Sequence, residues 1–216
     1  MDPLHSCIAL GPLAVYLLLI GLINLSSRPF VTTGARDSAA LGIGIGGFVI
    51  AGPMELFFPE PATIVFGSYV WLLIVALYGM SFTFLVLTGR PRLVIYNLPR
   101  RQLRPVLEEL VPELDSDARW AGDSVLLPNL GVNLTMELFG LLRCVQLVSA
   151  GPNQDFAGWR RLEIALASRL SQKRSAFNPG GVTQIFFALL IILLVTYWLI
   201  SGRHELAQAA LEMLRR

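Results

Sequence analysis

The sequence predicts a polytopic α-helical membrane protein with four transmembrane helices and an inserted small α+β domain. Three observations carry that expectation. Of the 216 residues, 54% are hydrophobic and only 15% are charged, against about 25% charged in a typical soluble domain. The mean hydropathy is +0.62. The apolar residues collect in four blocks, 8–25, 39–58, 64–88 and 182–200, and residues 89–181 form one long polar stretch between the third and fourth. This balance excludes a disordered tail and argues against an ordinary soluble enzyme.

Each block is long enough, at about 1.5 Å per residue, to cross a hydrocarbon core of about 30 Å. The first, third and fourth contain no Asp, Glu, Lys or Arg, and the second has only Glu55, near its end. In the first, a signal peptide is the rival reading. That would need a positively charged start, whereas Met1 to Cys7 has no Lys or Arg, so the helix is expected to be retained. The second block reads as a full or a re-entrant helix, because Gly42, Gly44, Gly46, Gly47 and Gly52 lower helix propensity and Pro53 removes a donor.

Basic residues set the expected orientation. Of 17, two lie in the first loop (Arg28, Arg36), 12 in residues 89–181 and three after residue 200. Positive loops stay in the cytoplasm, so residues 89–181 are expected there, at the inner (plasma) membrane, with both termini outside. Sixteen arginines against one lysine suggest a GC-rich bacterial genome.

Three domains follow: 1–88 with three helices, 89–181 as a cytoplasmic α+β domain, and 182–216 with the fourth helix and a short amphipathic helix at Glu205 to Arg216. In the insert, Arg92 to Tyr96 between Pro91 and Pro99 reads as a strand. Leu103, Val106, Leu107, Leu110, Val111 and Leu114 mark a helical face, which Pro105 would start and Pro112 end or kink. Ser124 to Leu127 follows as a strand. Val132, Leu134, Met136 and Leu138 then alternate with Asn133, Thr135 and Glu137, and Leu141 to Val148 is a third candidate. Phe156, Trp159, Leu162, Leu166 and Leu170 step along a second helix. The order is β-α-β-β-β-α, for which helices on one face of a mostly antiparallel sheet are the two-layer solution.

Candidate functional residues are sparse. Gly42, Gly44 and Gly47 match G-x-G-x-x-G but lack the strand and acid of a dinucleotide site. Spaced four apart, Gly42 with Gly46 and Gly47 with Ala51 predict close helix packing instead. Glu55, the one ionisable group inside a block, is a possible intramembrane polar site. Arg90, Arg92, Arg100, Arg101 and Arg104 precede any acid in the insert and are expected to contact anionic lipid. Core packing is the default reading for Trp159, which beside Arg160 and Arg161 is also a possible partner surface. A basic excess of only +3 over residues 89–181 argues against nucleic acid.

No metal site or cofactor is expected. His5, Cys7, Glu55, Glu60 and His204 would share the outer face without ligand spacing, and interfacial hydrogen bonding is the favoured reading. Cys144 reads as a small core residue, since no histidine lies in residues 89–181 to activate it. With no catalytic constellation, the expected function is a non-catalytic scaffold or regulatory subunit. Its expected partners are the lipid bilayer and another membrane or cytoplasmic protein, or a second copy. The alternative is a component of an oligomeric transporter or channel using the Gly-rich second helix and Glu55. An interfacial lipid enzyme is a third class, for which Arg28, Arg36 and Asp37 supply too few polar groups.

Overall fold

A computed structural model describes residues 3–56, 69–139, 144–175 and 178–201. The loop at Pro59 to Ala62 with Glu60, the Phe139–Gly140 turn with Leu141 to Arg143, and the C-terminal segment with His204 and Glu205 to Arg216 are therefore wholly or largely outside the described residues.

Among the described residues there are six helices: α1 (Pro3–Leu25), α2 (Gly34–Leu56), α3 (Tyr69–Thr88), α4 (Arg100–Leu114), α5 (Phe156–Ser171) and α6 (Pro179–Ser201). Six strands, β1 (Phe30–Thr33), β2 (Arg92–Tyr96), β3 (Arg119–Ala121), β4 (Ser124–Leu127), β5 (Val132–Phe139) and β6 (Cys144–Ser149), form one antiparallel sheet in the order β1-β2-β6-β5-β4-β3. The chain divides into two compact units. One comprises residues 1–19, 39–88 and 184–216, the other residues 20–38 and 89–183.

The four-span reading is corrected by the helices themselves. Among the described residues only His5–Leu25 and Pro179–Ser201 are long and apolar enough to cross a membrane. In α3 the described apolar stretch is the shorter Leu72–Thr88. The second helix is continuous from Gly34 to Leu56 rather than broken. It opens, however, with Arg36, Asp37 and Ser38, which belong to the sheet unit.

The expected β-α-β-β-β-α order also needs correction, because the sheet has two further strands. β1 comes from the loop between the first two apolar blocks and pairs with β2, Val31 opposite Ile95 and Thr33 opposite Leu93. The other, β3, pairs with β4 through the two-residue loop Gly122–Asp123, with Gly122 at φ 65°. A positive φ at the first central position suits the type II′ hairpin turn, and glycine takes it without steric cost.

The core lies between one sheet face and helices α4 and α5. Leu93 and Ile95, Val145 and Leu147, Val132, Leu134 and Met136, and Val125 and Leu127 meet Leu103, Leu107, Val111, Leu162 and Leu166 there. Period-two alternation puts every second strand residue on that face. Helix α4 runs through both Pro105 and Pro112 rather than starting at one and ending at the other. Each interior proline costs about 3 kcal/mol, and burying five residues, Leu103, Val106, Leu107, Leu110 and Val111, at about 1.5–3 kcal/mol each offsets it. At the head of α5, Asp155 accepts from the N–H groups of Ala157 (3.0 Å) and Gly158 (3.3 Å) as an N-cap.

Asp115, which follows α4, is buried. Its carboxylate accepts from the N–H groups of Asp117 (3.0 Å) and Asn129 (2.7 Å), and from the Asn129 amide (2.8 Å). Burial pushes its pKa up, but these bonds, with one from the Leu130 N–H, outweigh that and hold it below the usual carboxylate value. A group with a depressed folded-state pKa contributes stability that is complete above the unfolded value and lost as pH falls through the folded one. Asp115→Asn is therefore expected to lower stability at neutral pH. The difference from wild type should shrink as pH drops below about 4, as followed by urea unfolding in detergent.

Candidate functional site

Within the sheet unit, one group of polar contacts gathers around residues 21–27, 97 and 175–181. The end of α1 and the start of α6 meet there. A Cβ at Gly181 would stand 3.0 Å from the carbonyl oxygen of Gly21 and 3.0 Å from the Leu25 nitrogen, so glycine lets the two backbones approach where a side chain would have to push α1 back. Asn178 caps α6, its side-chain oxygen accepting from the Gly180 N–H at 3.1 Å, and Pro179 occupies the first helical position.

Just outside the two helices, the Ser175 N–H donates to the Ser27 carbonyl at 2.8 Å. Asn97 ties both segments to the end of β2. Its amide donates to the Ser26 carbonyl at 2.5 Å, and its own carbonyl accepts from the Ser175 hydroxyl. Asn97 has φ 59°, a left-handed conformation that asparagine tolerates better than most residues.

The start of α2 covers the second face of the sheet at β2. Tyr96 donates its hydroxyl to Asp37 at 2.5 Å, and Arg92 donates to the Ser38 hydroxyl at 2.9 Å. The Arg92 stem lies across Gly34, where a Cβ would fall 2.1 Å from its Cγ. Val94, Tyr96 and Cys144 are buried on this face. Burial pushes the Cys144 thiol pKa up and the Asp37 charge adds to the shift, so the side chain stays a protonated thiol rather than a nucleophile.

The arginines expected to contact lipid separate into two groups. Arg100 pairs with Asp123, and Arg104 pairs with Glu108 at 2.9 Å and lies 3.9 Å from Asp123. These bind α4 to the β3–β4 turn. Arg92 is engaged with Ser38, while Arg90 and Arg101 are exposed. Trp159 is corrected as a surface residue. It is 5% exposed within the core, and its indole N–H donates to Gln154 Oε1 at 2.9 Å. Arg160 and Arg161, its neighbours, are exposed.

In the other unit, the α2 glycines receive neighbouring helices. A Cβ at Gly47 would lie 2.2 Å from the Ile8 carbonyl of α1, one at Gly44 would meet Tyr16, and one at Gly42 would strike the Phe82 ring of α3. The Gly42 carbonyl accepts from the Tyr78 hydroxyl at 2.7 Å. Gly46 faces Tyr78, and Ala51 is buried. Glu55 lies in the last turn of α2. No group of three or more potential metal ligands occurs among the described residues.

Sequence reasoning missed Asn97, Gly181 and Asn178. The Asn-Pro-Gly-Gly run at 178–181 was the available signal for the last two, an N-cap followed by proline at the first helical position. No family model, characterised protein or solved structure matches this chain.

Asn97→Ala is expected to lose about 1–3 kcal/mol, from the lost hydrogen bond and the left-handed backbone. Asn97→Gly keeps the conformation and should lose less, a ranking that thermal unfolding in detergent checks. Gly47→Ala should lower the melting temperature by forcing α1 and α2 apart, whereas Gly52→Ala, with nothing within 4 Å, should not.

Proposed function

We propose that this chain is a bilayer-anchored, non-catalytic docking or regulatory subunit. Helices α1 and α6 cross the membrane and hold the sheet unit at the cytoplasmic surface, where α5 binds a protein partner. The length and apolar character of the two helices support the anchor. Large apolar side chains along α6, among them Phe186, Phe187 and Leu193, are exposed, as lipid-facing residues would be. The chain enters the sheet unit through the C-terminal end of α1 and leaves it through the N-terminal end of α6. Two crossing helices of that polarity put both termini on the side away from the sheet unit, and the basic excess of residues 89–181 favours the cytoplasm for that unit.

One observation carries the docking role. On the outer face of α5, Phe156 and Ile164 are 74% and 62% exposed, four residues either side of exposed Arg160. That spacing lines all three along one side of the helix. The opposite side is fixed in the core by Trp159, Leu162, Leu166 and Leu170. Arg36 reaches Glu163 at 3.1 Å, and Arg169 pairs with Glu113 on α4, so α5 is tied at both neighbours. A rigid helix presenting two apolar side chains around a cation suits an apolar groove with an acidic rim, the helix-in-groove mode of recognition.

Purification of the full chain in mild detergent should recover a protein partner or a defined self-association. The Phe156→Ser/Ile164→Ser pair and Arg160→Glu should each release it while the unfolding temperature stays near wild type. Recovery of the chain as a solitary monomer would overturn the docking role.

A further inference from the structure

The basic residues at the exits of the apolar helices are distributed unlike those elsewhere in the chain. Segments 26–38, 89–92 and 172–175 contain Arg28, Arg36, Arg90, Arg92, Lys173 and Arg174, and Asp37 is their single acid. Asp37 is occupied by the Tyr96 hydroxyl, and Arg92 and Arg36 are held by Ser38 and Glu163. Arg28, Arg90, Lys173 and Arg174 are exposed. The α4 arginines differ, since Arg100 and Arg104 are paired with acids of their own unit.

Position along the chain places these cations at the boundary of apolar structure. Arg28 follows the end of α1 at Leu25, Arg90 follows the end of α3 at Thr88, and Arg174 precedes the start of α6 at Pro179. The Ser175–Ser27 backbone bond lies between Arg174 and Arg28, so two exits distant in sequence present their cations together.

We propose that this basic collar docks on the phosphate headgroups of anionic phospholipids, with Arg28, Lys173 and Arg174 as its centre. The proposal rests on the bilayer-anchored reading above. A helix that ends its apolar run at Leu25 brings a cation three residues on to the depth of the headgroups, where each basic residue is attracted to anionic lipid. The collar also differs from the contact expected on Arg100 and Arg104 of α4, which are paired with acids of the sheet unit.

The test uses the full chain reconstituted in phosphatidylcholine nanodiscs, with and without a minor fraction of phosphatidylglycerol. Spin-labelled lipid reports the preference of the boundary lipid for phosphatidylglycerol. The Arg28→Gln/Lys173→Gln/Arg174→Gln variant should lose about tenfold or more of that preference. The Arg100→Gln/Arg101→Gln/Arg104→Gln variant should retain it, and Arg28→Lys, which keeps the charge and guards against a folding defect, should be indistinguishable from wild type. No preference in wild type, or equal loss in both triple variants, would overturn the collar and leave the anchor standing. Binding of an oligonucleotide by the detergent-solubilised chain that vanishes in the collar variant, with lipid preference unchanged, would overturn it in favour of nucleic acid. Failure of the chain to enter nanodiscs, with recovery in the soluble fraction, would overturn the anchor and the collar together.

Discussion

Contact between the backbones of α1 and α6 at Gly181 is the constraint on which the sheet unit depends. Two helices with ordinary side chains pack at about 8–10 Å between axes. A glycine facing the Gly21–Leu25 backbone removes the side chain that would hold them apart. That approach brings Ser27 and Ser175 within bonding distance, and Asn97 then fastens both to β2. The segment between α1 and α2 is thereby laid along β2 as β1. Its register sets Gly34 beneath Arg92, and Asp37 next in line for the Tyr96 hydroxyl. An edge strand, a helix start and the covering of the second sheet face all follow from one close approach.

The same arrangement explains why β2 is apolar on both sides. Leu93 and Ile95 face the helices of the core, while Val94 and Tyr96 lie under the start of α2 with Cys144. A half-exposed antiparallel strand would alternate with polar residues, and a strand covered on both faces need not. Polar groups on this covered side find partners, Tyr96 in Asp37 and Arg92 in Ser38, as buried polar groups must to avoid a desolvation penalty.

Much of the sheet unit was legible because its periods are clean. The alternation from Val132 to Glu137 places Val132, Leu134 and Met136 in the core, with Asn133 and Thr135 partly exposed and Glu137 exposed. The spacing of Leu103, Val106, Leu107, Leu110 and Val111 marks the buried side of α4. What escaped were features set by tertiary contact or by single residues. β1 is four residues long and owes its conformation to β2, so no local pattern announces it. β3 was hidden because it has three residues, of which only Trp120 is partly buried, too few to show a period. Trp159 was legible in part: its helical spacing with Leu162 and Leu166 predicts the core position it takes, whereas the two arginines beside it suggested a surface edge it does not form. Hydropathy alone overcounted the spans: it registers an apolar run but does not see that the first turn of α2 belongs to the sheet unit.

Both borders of the sheet are brief, β1 with four residues and β3 with three. Unpaired N–H and C=O groups along a sheet border are a template on which a foreign strand can grow. Ladders this short offer few such groups, and β1 is further enclosed by a helix at either end of its segment. A chain that exposes so much apolar surface, most of it on helices, thus keeps its hydrogen-bonding margins narrow, which limits the template for fibrous aggregation.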